Sequence, residues 1–174
     1  MRRARFIALL AMVALALQEL ILRVAVRAAG APTYPRGTLA IIVNRSNPVE
    51  NLSYAELRKI FLGERSRWPS GHRVIVTMVD SGYPEREAML RDVYRMSESA
   101  YQDHFLKGTY TGDIPVPPKT LSSPDVLRRF VFNAPGAIGY LRASDVDGSV
   151  KVVSIDGYFP DNPAYKLQIE GLTK

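Results

Sequence analysis

The chain of 174 residues contains no cysteine, only two histidines and one tryptophan. Without cysteine it has no thiol nucleophile, no zinc–thiolate site, no disulfide and no lipid-modified cysteine anchor. His72 and His104 are too few and too far apart in sequence to suggest a zinc site. Neither a Gly-x-Ser-x-Gly elbow nor a His-Glu-x-x-His pair occurs. The sequence therefore names no catalytic residue, no metal ligand and no cofactor, and it reads as a non-enzyme. Internal repeats and low-complexity tracts are also missing.

What the chain does have is an asymmetric start. Arg2, Arg3 and Arg5 precede an unbroken apolar run from Phe6 to Leu17, and small residues follow at Ala28, Ala29, Gly30 and Ala31. This order matches a secretory signal peptide over residues 1–31, which predicts a periplasmic or secreted location. Ala29-Gly30-Ala31 is one cleavage candidate, with Val26-Arg27-Ala28 and Ala14-Leu15-Ala16 as competitors. The alternative is an uncleaved membrane anchor through residues 6–26. Gln18, Glu19 and Arg23 interrupt that segment, and a charge at mid-membrane costs about 2.5–3.5 kcal/mol on insertion scales.

The leader also carries most of the charge imbalance. The full chain has 23 Lys+Arg against 17 Asp+Glu, a net charge of +6. Residues 1–31 hold five arginines and one glutamate, so residues 32–174 keep a net charge of only +2. A nucleic-acid partner needs a basic stripe on the folded domain, and none is expected.

Residues 32–174 are expected to form one domain. Thr38 to Asn44 is a continuous apolar run bounded by turn residues, the pattern of a strand buried on both faces. Ser53 and Glu56 form a capping box, Leu52 and Leu57 a hydrophobic staple, and Gly63 a helix stop. Arg73 to Val79 reads as a strand and Pro84 as a first helical turn. Ser97 caps a helix with Tyr101, His104 and Phe105 on one face. Gly108 to Lys119 reads as a loop, Ser123-Pro124 as a helix start, and Ala137–Leu141 and Val150–Ile155 as strands. The tail from Gly157 is expected to lie across the surface. Alternating strands and helices predict an α/β domain with a mixed, mostly parallel sheet flanked by helices.

Ile60-Phe61-x-Gly63 with Trp68 and Gly71, then Thr111-Gly112 with Pro117-Pro118, then Gly136-Ala137-Ile138-Gly139-Tyr140 occur in that order. Over roughly residues 38–158 the chain resembles the phosphate-type substrate-binding proteins of ABC transporters. The resemblance implies a periplasmic-binding-protein-like lobe of the type-2 fold, which has two lobes around a ligand cleft. At about half the family's usual length, the chain is expected to supply one lobe. The family holds phosphate with a Ser-Gly-Thr turn that opens a helix, where free N–H groups and the helix dipole attract an anion. Here the matching stretch reads Asp80-Ser81-Gly82-Tyr83-Pro84-Glu85-Arg86-Glu87. Tyr83 replaces the threonine, Pro84 lacks an N–H, and Glu85 and Glu87 add negative charge, which predicts weak phosphate affinity.

The expected ligand is small and polar or anionic, with phosphate among the candidates. Its candidate contacts are Asn44, Ser46 and Asn47 at the end of the first strand, Ser81, Gly82 and Arg86, and Thr111 with Gly112. Asn44 to Asn47 also fits ordinary turn chemistry, and Thr109 to Gly112 reads as a polar loop. Trp68 is expected to anchor packing. Tyr140 is expected to offer its hydroxyl to the cleft or to a backbone carbonyl. A second copy of the chain, or a transporter or envelope partner, is the alternative occupant of the fold's open side.

Overall fold

The computed structural model describes residues 34–171, so the expected signal peptide over residues 1–31 and its cleavage candidates lie outside the described residues. A five-stranded sheet forms the centre, in the order β4-β3-β5-β1-β6. Its strands are β1 (Leu39–Val43), β3 (Ile75–Val79), β4 (Lys119–Leu121), β5 (Ala137–Arg142) and β6 (Lys151–Val152). A separate parallel pair joins β2 (Asn51–Leu52) to β7 (Ser154–Ile155). The main sheet is mixed, as expected: β3 runs parallel to β4 and β5, while β1 runs antiparallel to β5 and β6.

β1 is buried on both faces, all five of its residues being sealed from water. That is why its sequence does not alternate apolar with polar residues. Its antiparallel partner β5 runs from Ile138 opposite Val43 to Arg142 opposite Leu39. Glycine is required where β5 passes its neighbours. A Cβ at Gly139 would lie 2.4 Å from Thr77 Oγ1 and 2.7 Å from a Leu127 methyl. At Gly136 a Cβ would lie 2.0 Å from the Arg73 carbonyl oxygen. Trp68 is buried and donates its indole N–H to the Gly136 carbonyl at 2.9 Å, so it is the packing anchor its position suggested.

Helix α1 (Tyr54–Phe61) starts at the anticipated capping box. Ser53 N–H donates to Glu56 Oε2 at 2.9 Å, and Glu56 N–H donates to Ser53 Oγ at 3.2 Å. Its buried stripe is Leu57, Ile60 and Phe61. Helix α4 (Pro124–Asn133) is capped by Ser123 and packs Leu127 and Val131 inward.

Helix α2 opens at Pro84 as an α-helix to Ala88 and continues as a π-helix from Met89 to Tyr94. Glu85, Met89 and Val93 are buried, and so are Arg86, Ala88, Leu90 and Tyr94, the broad inward face of an amphipathic helix. The helix ends at Arg95, a non-glycine residue at φ 57°.

Three sequence expectations need correction. Helix α3 spans Glu98–Thr111, so Thr109 to Thr111 form its last turn, and Gly112 at φ 81° is its left-handed cap. The expected polar loop therefore begins only after Gly112, and part of its remainder forms β4. Val150 to Ile155 splits into β6 and β7, because Val153 N–H bonds to the Ile41 carbonyl while Ser154 N–H turns to that of Glu50. The tail enters the core: Tyr165, Leu167 and Ile169 are buried, and Leu39 N–H donates to the Leu167 carbonyl at 3.0 Å. Their spacing by two is a strand-like alternation that buries one face.

Among the described residues, no helix is long and apolar enough to cross a membrane.

Candidate functional site

The carboxyl end of β3 leads through Asp80 into Ser81 and Gly82, and then into α2. Beside this turn lies an open cavity of about 700 Å³. It is lined by Ser81 and Gly82 of the turn, by Arg86, Glu87, Leu90, Arg91, Arg95 and Met96 of α2 and its end, and by Ser97 and Glu98 at the start of α3. Ligands of α/β sheets tend to sit beyond the carboxyl ends of strands, which is where this cavity lies.

Arg86 is the fixed feature of the cavity. Its side chain is 5% exposed. Nη1 donates to the Val79 carbonyl at 2.8 Å, while Nε and Nη2 reach the two carboxylate oxygens of Glu98 at 2.9 and 2.7 Å. The guanidinium also lies 4.9 Å from the centre of the Tyr101 ring, a cation–π contact. The paired Glu98 carboxylate raises the pKa of Arg86, and the arginine's hydrogen bonds hold Glu98 below the usual carboxylate range. Gln102 adds a weaker bond to Glu98 Oε1 at 3.2 Å.

Behind Arg86 the core is aromatic and wired to the sheet. Tyr140 accepts the Val79 N–H at 3.1 Å, so its hydroxyl faces neither the cavity nor a carbonyl. The N–H and C=O of Val79 are thus each met by a side chain, from Tyr140 and Arg86. Tyr94 packs edge-on to Tyr101 at 4.9 Å, and burial pushes the phenols of Tyr94, Tyr101 and Tyr140 up.

On the opposite side of α2, Glu85 is buried and paired with Arg142 at the end of β5. Arg142 Nε and Nη2 both reach Glu85 Oε1, at 3.0 and 2.6 Å, and Glu85 Oε2 has no hydrogen-bond partner.

The fold gathers Ser81, Gly82 and Arg86 on one cavity and places the remaining candidates elsewhere. Asn44 is buried and binds the end of α4, donating to the carbonyls of Val131 and Phe132 at 2.9 and 2.5 Å. Its Oδ1 accepts from the Ser46 N–H and hydroxyl at 2.9 and 2.7 Å. Asn47 Oδ1 accepts the Val49 N–H at 3.1 Å, while Asn47 Nδ2 is buried without a partner. Thr111 lines a different cavity of about 340 Å³, between the ends of α1 and α3. There its hydroxyl donates to Asp113 at 2.6 Å, and Gly112 serves as the helix cap.

Sequence reasoning missed Glu98, Arg91 and Arg95. Glu98 was visible as an acid in a capped first turn, but its pairing with Arg86 twelve positions back depends on how α2 and α3 meet.

No family model matches the chain. It is 31% identical to the phosphate-binding protein PstS of Bacillus subtilis over 124 residues, 71% of this chain and 37% of that protein. Among solved structures, one from Clostridium perfringens, assigned to phosphate ABC transport and holding bound phosphate, matches with a TM-score of 0.62 at 22% identity. That match covers 76% of this chain and 53% of the other. An ABC-type phosphate transport receptor from Vibrio cholerae matches with a TM-score of 0.55 at 21% identity, over 74% of this chain and 50% of the other. PstS from Borrelia burgdorferi gives 0.53 at 17%, covering 74% and 51%. The chain thus spans 37% of the length of the curated relative and about half that of these solved neighbours.

Proposed function

From the chain's kinship with the phosphate-type substrate-binding proteins of ABC transporters, on the type-2 periplasmic-binding-protein fold, we propose that it is an exported solute-binding-like domain. It binds a small polar or anionic ligand reversibly and performs no bond chemistry. The observation that carries this reading is the cavity of about 700 Å³ at the end of β3, which Ser81, Gly82 and Arg86 all line. The resemblance assigns the Ser-Gly turn to anion contact, and the cavity leaves it open to solvent. Export rests on the signal-peptide pattern of residues 1–31 and on the relatives' class. Phosphate is a weak ligand in this reading, because Tyr83 and Pro84 replace donors and Arg86 is already paired with Glu98.

Thermal-shift screening against phosphate, sulfate and small carboxylates tests the proposal. The expected result is stabilisation by at least one anion, growing with its concentration. Silence across the panel overturns it.

A second reading is an interaction module on the same fold, bound to another copy or to an envelope or transporter partner. One observation favours it: Leu106 and Tyr110, one turn apart on α3, are 73% and 91% exposed. A strict monomer by light scattering, together with no partner recovered in pull-downs, would dismiss that reading.

A further inference from the structure

Arg86 and Glu98 meet as a guanidinium fork meets a carboxylate ligand, with two nearly parallel hydrogen bonds of 2.9 and 2.7 Å. The two partners are not equally held. The Arg86 side chain is 5% exposed and is fixed from behind by the Val79 carbonyl and the Tyr101 ring. Glu98 is 38% exposed, sits in the first turn of α3, and is restrained otherwise only by Gln102. Both line the same open cavity, so a released Glu98 side chain has solvent to enter. A fixed buried cation facing a carboxylate that is partly open to solvent is a seat whose occupant can be exchanged.

We infer that the Glu98 carboxylate is an internal stand-in for the ligand, seated on the Arg86 fork, and that an external oxyanion binds only by displacing it. This rests on the reading of the cavity as a ligand site and adds the ligand's class. The seat already holds a planar carboxylate with two oxygens in one plane, so small carboxylates fit it directly. Tetrahedral phosphate and sulfate present the same oxygen pair, and Ser81 lines the same cavity. Displacement also frees a negative charge next to the incoming anion, which weakens its binding. Glu98 therefore sets both the affinity and the selectivity of the site.

The test is titration of the protein and its Glu98→Gln variant with acetate, phosphate and sulfate by calorimetry. Glu98→Gln is expected to bind at least one anion about fivefold more tightly, the order of effect of removing one like charge at roughly 4 Å in a solvent-like medium. The double variant Arg86→Met with Glu98→Gln is expected to lose that gain. A folded Glu98→Gln with the affinities of the unaltered protein overturns the inference. Should that variant not fold, the unaltered protein decides the matter by NMR. Exchange requires the Arg86 Nε–H and Glu98 carboxyl signals to move together as anion is added, and anion binding that leaves both in place overturns it. The two proposals fail separately. Gain in Glu98→Gln with silence in the unaltered protein refutes ligand binding by the native chain but keeps the stand-in. Native binding without movement at Arg86 does the reverse.

Discussion

Glu85 and Arg86 are neighbours in sequence, opposite in charge and both nearly sealed from water, yet the fold treats them differently. Arg86 spends every direction of its guanidinium: two nitrogens on Glu98, one on the Val79 carbonyl, and a face on Tyr101. Glu85 has only Arg142, which reaches a single oxygen and leaves Oε2 without a partner. Their directions, about 100° apart around a helix, tie α2 to different neighbours: Glu85 to the end of β5, and Arg86 to β3 and α3. Each pair has one sealed and one partly exposed member, in opposite order: on the Glu85 side the acid is sealed and Arg142 reaches solvent. On the cavity side the base is sealed and the acid stands at the solvent edge. Only the second arrangement keeps a buried cation beneath an exposed carboxylate.

The sharpest way to test that contrast is Arg142→Met. It strands the Glu85 charge with no second partner, and an expected loss of about 3–5 kcal/mol follows, read by urea unfolding. A loss below about 1 kcal/mol would mean that the buried pair contributes little and that the contrast is misplaced. Tyr140→Phe removes the acceptor of the Val79 N–H behind Arg86, and stranding that donor costs about 1–3 kcal/mol. Glu98→Gln should cost less, about 1–2 kcal/mol, because Arg86 keeps the Val79 carbonyl and the Tyr101 ring, and solvent already screens Glu98. If Glu98→Gln proves more damaging than Arg142→Met, the cavity pair is the structural one.

The smallest effect concerns pH. The folded-state pKa of Glu98 is depressed by Arg86, so the pair's stabilisation is complete above the ordinary carboxylate pKa. It fades as pH falls through the depressed value. In acid titrations of stability, Glu98→Gln should flatten this part of the curve, whereas an unchanged slope would show that other carboxylates govern it. Glu56 and Asp147, also lowered by their hydrogen bonds, supply a background present in both proteins.

Local signals were read correctly where neighbours in sequence make the structure. Ser53 with Glu56, the glycine stop at Gly63, the apolar run of β1, and Ser123 before Pro124 all act within one turn or one strand. Trp68 was legible because a large aromatic beside a tight turn has few places to go except the interior. Other features stayed hidden for a physical reason. The π-helical turns of Met89–Tyr94 leave no distinct mark on sequence, because the buried spacing of four is also that of an ordinary amphipathic α-helix. Tyr165, Leu167 and Ile169 look like a weakly patterned tail until β1 offers them an edge. Thr111 and Gly112 resembled a loop because glycine near Pro-rich sequence marks both loops and helix caps. Of the candidate site, Ser81, Gly82 and Arg86 were found through the resemblance. Asn44 and Asn47 instead belong to turns, their side-chain oxygens accepting bonds from residues two positions on.

The sequence by itself determined the alternation of strands and helices, the helix starts, the basic-then-apolar pattern of its first residues and the Ser81-Gly82-Tyr83-Pro84 turn, because each is written in residues close together along the chain. Which charge would meet which was decided only in three dimensions. Arg86 could have faced water or a ligand, and it faces Glu98 because the packing of α2 against α3 brings the two within hydrogen-bonding reach. Long-range pairing of this kind leaves no mark on local pattern, since its energy depends on burial and distance that only the assembled fold supplies.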